Sequence, residues 1–174
     1  MKNSKNKQLG FSLVELLIVV LTIGIIGVIA IPNLLAARRS ANEGSTISAL
    51  RTLHGAQLTY QTSVGAGNYA GSTGATATTD GLAELNSKSL IDAALAVGSK
   101  GGYNFAGATT LSNPASGTPA TFYFTANPIS ASGITQSGTK RYCITQQGFI
   151  GVDSNSLATL FDAATATVAT PLGG

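Results

Sequence analysis

Between Leu9 and Pro32 the chain reads LGFSLVELLIVVLTIGIIGVIAIP, and its stretch from Leu16 to Ile31 is sixteen consecutive residues without a charge. Extended from Phe11 to Ala37, with Glu15 as its one ionisable side chain, the segment exceeds the ~20 residues that a membrane-spanning helix requires. Lys2, Lys5 and Lys7 precede it and Arg38 and Arg39 follow it. The three lysines and an amino terminus favour a cytoplasmic N-terminus, with the polar remainder outside. A cleaved secretory signal also has a basic start and an apolar centre. This run is longer than such a core, its nearest small-residue cleavage site is LLAA at Leu34 to Ala37, and a signal core has no need of Glu15.

The position of Glu15 is the question the segment raises. A carboxylate at mid-bilayer costs on the order of 2.5 to 3.5 kcal/mol. Near the start of the run it can reach water or head groups, so a membrane-inserted monomer tolerates it. Among packed apolar helices that escape is gone, and an unpaired Glu15 becomes expensive. Gly24 and Gly27 lower helix stability, and Pro32 removes a backbone donor. They predict a bend near Pro32, with local loosening between Gly24 and Pro32.

A leader ending in Leu9 and Gly10, then FSLVELLIVV, then Ile31 and Pro32 resembles the class III signal of type IV pilins and the related type II secretion pseudopilins. The resemblance covers roughly Lys7 to Pro32. It implies that a prepilin peptidase cuts after Gly10, methylates the new amino terminus of Phe11 and leaves the helix in place. It also implies storage in the bacterial inner membrane. From there a pilus assembly platform and ATPase would draw the chain into an extracellular homopolymer. In that setting the partner of Glu15 is the Phe11 amino group of a neighbouring subunit. Loss of one member of a buried ion pair costs about 3 to 5 kcal/mol, so Glu15 would select neighbours in register.

Beyond Pro32 the helical pattern continues, with Ile47, Leu50, Leu53, Leu58 and Tyr60 as an apolar stripe and Ala49 and Ala56 filling gaps. A helix over 12–62 would be roughly 75 Å long. Gly65 to Thr79 reads as a loop. Its GAGNYAG is a near miss for a dinucleotide-binding GxGxxG, lacking both the third-glycine spacing and a preceding strand. Short helical pieces are expected at 82–85 and 90–97, then three or four strands near 102–106, 120–126, 141–146 and 149–153. Gln146 to Gly148 would turn the third strand into the fourth. Phe122 and Phe124 should face one side of the second strand, with Tyr123 and Thr125 on the other. GYNF, TFYFTANP and KRYCITQQGFIGVD look like the sheet of pilins that resemble major pseudopilins. The expected fold is α+β, a long N-terminal helix packed on a small antiparallel sheet. Its parts would be a leader (1–10), a polymerisation helix (11–32), an amphipathic continuation (33–62) and a head (63–174). The head would end in a small-residue tail with an apolar patch at 157–161, where Ser and Thr permit glycosylation without specifying it.

Removing Lys2, Lys5 and Lys7 from the ten basic residues leaves seven against seven acids. Such a neutral body offers no broad field to phosphate backbones, so nucleic acid is at most an indirect partner. The single cysteine, Cys143, reads as a small buried strand residue, and His54 as a packed or partly solvated one. No ligand spacing for a metal appears and no cofactor motif, so no cofactor is expected. With one His, one Cys and scattered acids, a membrane-anchored enzyme lacks a constellation of reacting groups. Aromatic residues at 6% give no special support to electron conduction. The expected function is that of a non-enzymatic filament subunit serving adhesion, surface motility or DNA uptake. The nearest rival is a secretion pseudopilin, for which no clear acidic calcium loop is present near the C-terminus.

Overall fold

The computed structural model describes residues 11–74, 76–153 and 170–172. Helix α1 spans Leu13–Ser63 and carries Pro32 within it. It is followed by α2 (Asp80–Ser87), α3 (Ala93–Ala96) and strands β1 (Ser99–Lys100), β2 (Tyr103–Thr110), β3 (Thr121–Pro128), β4 (Arg141–Thr145), β5 (Ile150–Asp153) and β6 (Thr170–Pro171). The chain parts into two compact units between Ala37 and Arg38. The second unit contains the whole sheet, so the α+β expectation holds there.

Neighbouring strands pair antiparallel in the order β1-β2-β3-β4-β5-β6. The register places Phe105 opposite Ala126, and Phe124 opposite both Gly107 and Ile144. Side-chain alternation then sends Phe105, Phe122, Phe124, Tyr142, Ile144 and Ile150 into one core. Tyr123 joins Ala108 and Cys143 on the other face. Gly107 is required by this register, because a Cβ there would collide with the Phe124 ring and the Tyr123 carbonyl. The turn at Gln146 to Gly148 joins β4 to β5, with Gly148 at φ +80° and its N–H donating to the Thr145 carbonyl at 2.9 Å. A positive φ of this kind favours glycine.

Within the second unit α1 covers the core face with Ala49, Leu50, Leu53, Ala56 and Tyr60, while Thr46 and Gln57 share the buried stripe. These residues follow an i, i+3, i+4, i+7 pattern from Thr46 and again from Leu53, which keeps one helical face turned inward. Leu58 departs from the expected stripe and is 40% exposed. One residue past the buried Gln57, it is rotated about 100° from that face. The loop after α1 contributes more than a connection: Tyr69 and Ala70 enter the core, and the Tyr69 ring meets Phe122 edge-on at 4.6 Å.

Among the described residues six strands form where three or four were expected, and β2 runs four residues beyond its expected end at 106. Small residues at Gly107 and Ala108 mask strand character that pairing with bulky β3 supplies. The two-residue edges β1 and β6 are too short to leave a periodic pattern. The apolar patch expected at 157–161 lies outside the described residues, as do the leader 1–10 and most of the tail.

Burial pushes the Cys143 thiol up to about 11, partly offset by a backbone hydrogen bond to Gly151 and the Arg141 charge. Burial, reinforced by the Glu43 charge, also raises the Tyr103 and Tyr142 phenols. Each of these groups holds its proton more tightly folded than unfolded, so stability falls wherever the unfolded chain has lost protons that the folded one keeps. The thiol contribution is complete below its ordinary value of 9.0 and disappears as pH rises through about 11. The urea midpoint of the detergent-solubilised chain should therefore drop between about pH 8 and about pH 10.5, and drop less in Cys143→Ala. A flat or rising midpoint contradicts this. Leu53→Ala should cost about 2–5 kcal/mol, against about 0.5 kcal/mol or less for Leu58→Ala. Denaturant titration followed by near-UV circular dichroism measures both.

Candidate assembly segment

In the first unit no described residue covers the helix. Its fifteen large apolar residues from Leu13 to Leu34 are 52–80% exposed. The most apolar 18-residue window of α1 has a mean hydropathy of 2.9 and no buried member. The segment is apolar all round, the pattern of a helix meant for lipid or for other helices. Its few polar groups have distinct fates. Thr22 satisfies its hydroxyl locally, with Oγ1 donating to the Val19 carbonyl at 2.8 Å. Glu15 is exposed in the first turn of α1 and makes no hydrogen bond or ion pair with any described residue. Phe11 precedes the helix and is 86% exposed.

Gly24 and Gly27 are not demanded by packing within the chain: a Cβ at either would meet nothing within 4 Å. Their cost to helix propensity is therefore uncompensated by any internal contact. Helical structure runs through Pro32. Of the expected site residues, Phe11, Glu15, Gly24, Gly27 and Pro32 all fall on or beside the apolar half of α1. Gly10 lies outside the described residues.

The head has polar contacts that sequence patterns did not single out. Gln57 is fully buried and clamps Ala70, its Nε2 donating to the Ala70 carbonyl and its Oε1 accepting from the Ala70 N–H, both at 2.8 Å. Tyr60 donates to Glu84, and this bond raises its phenol above the ordinary value. The other Glu84 oxygen accepts the Gly71 N–H at 2.8 Å. Together these fasten the long loop to α1 and α2. Spacing on the buried stripe was the available clue to Gln57, but its amide reads as a surface group until its partner is known. His54 is half-buried, with Nε2 3.2 Å from the Gln146 carbonyl and its ring 5.8 Å from Phe122. Its place is structural, next to the β4–β5 turn. Among the described residues no three His, Cys, Asp or Glu side chains converge as metal ligands would.

Fold and surface together define an α+β chain whose N-terminal helix carries an uncovered apolar half of membrane-spanning length. A 43-residue stretch, 25% of this chain, is 54% identical to the type IV wide pilus major component PilA4 of Thermus thermophilus. The match spans 30% of that protein's length, so the likeness is to part of a type IV pilin. No family model matches the chain. No solved structure gives a significant match.

Because neither glycine touches anything, Gly24→Ala and Gly27→Ala should each stabilise the detergent-solubilised monomer's helix by about 1 kcal/mol. Helical circular dichroism on heating reads this out. A loss of helix in either variant would show that the glycines have a packing role within the monomer.

Proposed function

We propose that this chain is the structural subunit of a type IV pilus filament. The observation that carries the reading is an apolar helix surface that no described residue covers, interrupted by Glu15, which has no partner among the described residues. The partial likeness to a type IV pilin supports the same class. Lipid covers the helix first, with the N-terminus cytoplasmic, and other copies of the helix cover it after assembly. A prepilin peptidase removes residues 1–10 by cutting after Gly10 and methylates Phe11, creating the amino terminus toward which Glu15 is directed. The assembly platform and its ATPase supply the work of extraction from the inner membrane. Adhesion, motility or DNA uptake are outputs of the finished filament, and the subunit performs no chemistry itself.

Registration follows from the cost of a buried unpaired charge. A neighbour that brings its Phe11 amine to Glu15 removes a penalty of about 3–5 kcal/mol, and one displaced by a turn does not. Gly24, Gly27 and Pro32 give the helix a region that bends or loosens to accommodate that placement. Nothing within the monomer opposes such a change at the two glycines, since no side chain rests against them.

Glu15→Leu should leave membrane insertion and cleavage after Gly10 intact while filament yield falls at least about tenfold, the factor that corresponds to 1.4 kcal/mol. Sheared surface filaments and the N-terminal mass of the membrane-held subunit are the measurements. Undiminished filaments in this variant would remove the registration role. Subunits confined to the periplasm as short fibres would point to the pseudopilin reading.

A further inference from the structure

Between α1 and the turn from α2 into α3 the head holds an open cleft of about 670 Å³, within the ~300–1,000 Å³ of sites that take small ligands. Every residue lining it belongs to the second unit, so its geometry does not depend on the first. On one side α1 contributes Ser45, Ser48 and Thr52, and on the other the chain beyond α2 contributes Ser89, Asp92 and Lys100. The buried lining residues Ala49, Ile91 and Leu95 give it an apolar floor. The two sides approach closely: a Cβ on Gly101, next to Lys100, would lie 3.3 Å from the Ser45 hydroxyl oxygen.

The charges of the cleft cancel, while its serine hydroxyls are left over. Asp92 and Lys100, the two ionisable residues that line it, pair at 2.7 Å. Asp92 also caps α3 by accepting the Leu95 N–H at 3.0 Å. Thr52 donates its hydroxyl to the Ser48 carbonyl at 3.1 Å. The hydroxyls of Ser45, Ser48 and Ser89, all exposed residues, make no hydrogen bond with any described residue. Ser89 stands out among the three. It follows the end of α2 at φ +58°, its N–H donating to the Asn86 carbonyl at 2.8 Å and the Leu90 N–H donating to the Leu85 carbonyl at 3.0 Å. A helix closed in this way commonly has glycine at the left-handed residue, where a side chain is strained. Serine there carries a backbone cost that no hydrogen bond of its side chain to a described residue offsets.

We infer that this cleft binds a neutral saccharide. A sugar ring presents hydroxyls at its edge, which exchange hydrogen bonds with serine hydroxyls as donors and as acceptors, and C–H groups on its faces, which suit the apolar floor. The Asp92–Lys100 pair offers a carboxylate and an ammonium to sugar hydroxyls without a net charge that would select an ion. A charged ligand would have to part the pair first. No residue of the apolar half of α1 takes part, so the inference does not depend on the filament reading.

The test is to titrate the full chain, solubilised in dodecylphosphocholine so that no glycoside detergent competes, with neutral trisaccharides of glucose, galactose, mannose and N-acetylglucosamine. Amide chemical shifts read out both affinity and place. At least one sugar should bind, with shifts confined to the amides around Ser45, Ser48, Ser89 and Lys100. Ser45→Ala, Ser48→Ala and Ser89→Gly should each weaken it about two- to tenfold, the effect of one lost hydrogen bond. Ser116→Ala, in the connection between β2 and β3, should leave it unchanged. Ser89→Gly should also raise the thermal midpoint, because glycine adopts the left-handed backbone without strain, which separates weaker binding from a damaged fold. The proposal is overturned by the absence of binding to any of these sugars, by shifts that fall away from the cleft, or by unchanged affinity in all three serine variants. Saturable binding of glycine or a dipeptide in the cleft, with no response to sugar, would show Asp92 and Lys100 acting as separate charges and overturn it too.

Discussion

An apolar helix that its own chain does not cover cannot rest in water. Removing one large aliphatic side chain from water is worth about 1.5–3 kcal/mol, and fifteen such residues stand exposed between Leu13 and Leu34. The sum is tens of kcal/mol, larger than the ~5–15 kcal/mol by which a whole domain is stable. Whatever else the molecule does, this surface has to be covered by an apolar environment. Lipid and the helices of other copies both satisfy that demand, and only the second makes a polymer. Glu15 separates the two, because a carboxylate near the interface is tolerable in lipid and costly in a packed core unless a cation meets it.

The second half of α1 obeys the opposite rule. From Thr46 to Tyr60 one face is buried on the sheet, and its polar members are matched atom by atom: Gln57 to both backbone groups of Ala70, Tyr60 to Glu84. Asn42 and Glu43 extend the attachment to the segment before β4. One helix thus belongs to the head over its C-terminal half and leaves its N-terminal half free for other contacts. The change occurs where the composition changes, at Arg38 and Arg39.

Much of this was legible because the signals were strong and local. The apolar run and its amphipathic extension placed the 51-residue helix within one residue at each end, 12–62 against Leu13–Ser63. Alternation separated Phe122 and Phe124 from Tyr123, and Gly148 marked its turn. What escaped depended on partners distant in sequence. The extra length of β2 comes from pairing with β3, since Gly107 and Ala108 have little strand preference alone. Hydrophobicity alone puts Leu58 on the buried stripe, although its angular position turns it outward. The Gln57 clamp and the Glu43 tether join residues 13 and 96 positions apart, which no periodicity reveals. For the assembly segment the candidate residues could be read directly. Their roles could not, because Glu15 has no partner among the described residues and a Cβ at Gly24 or Gly27 would meet nothing.

The central claim is that the apolar half of α1 exchanges lipid for copies of itself, with Glu15 meeting a neighbour's amino terminus. Direct imaging of the filament at side-chain resolution measures this. The account predicts a core of these helices in which each Glu15 carboxylate lies within hydrogen-bond distance of the Phe11 nitrogen of another subunit. A filament held by head contacts alone, or one whose Glu15 faces solvent or lacks a cation, would contradict it.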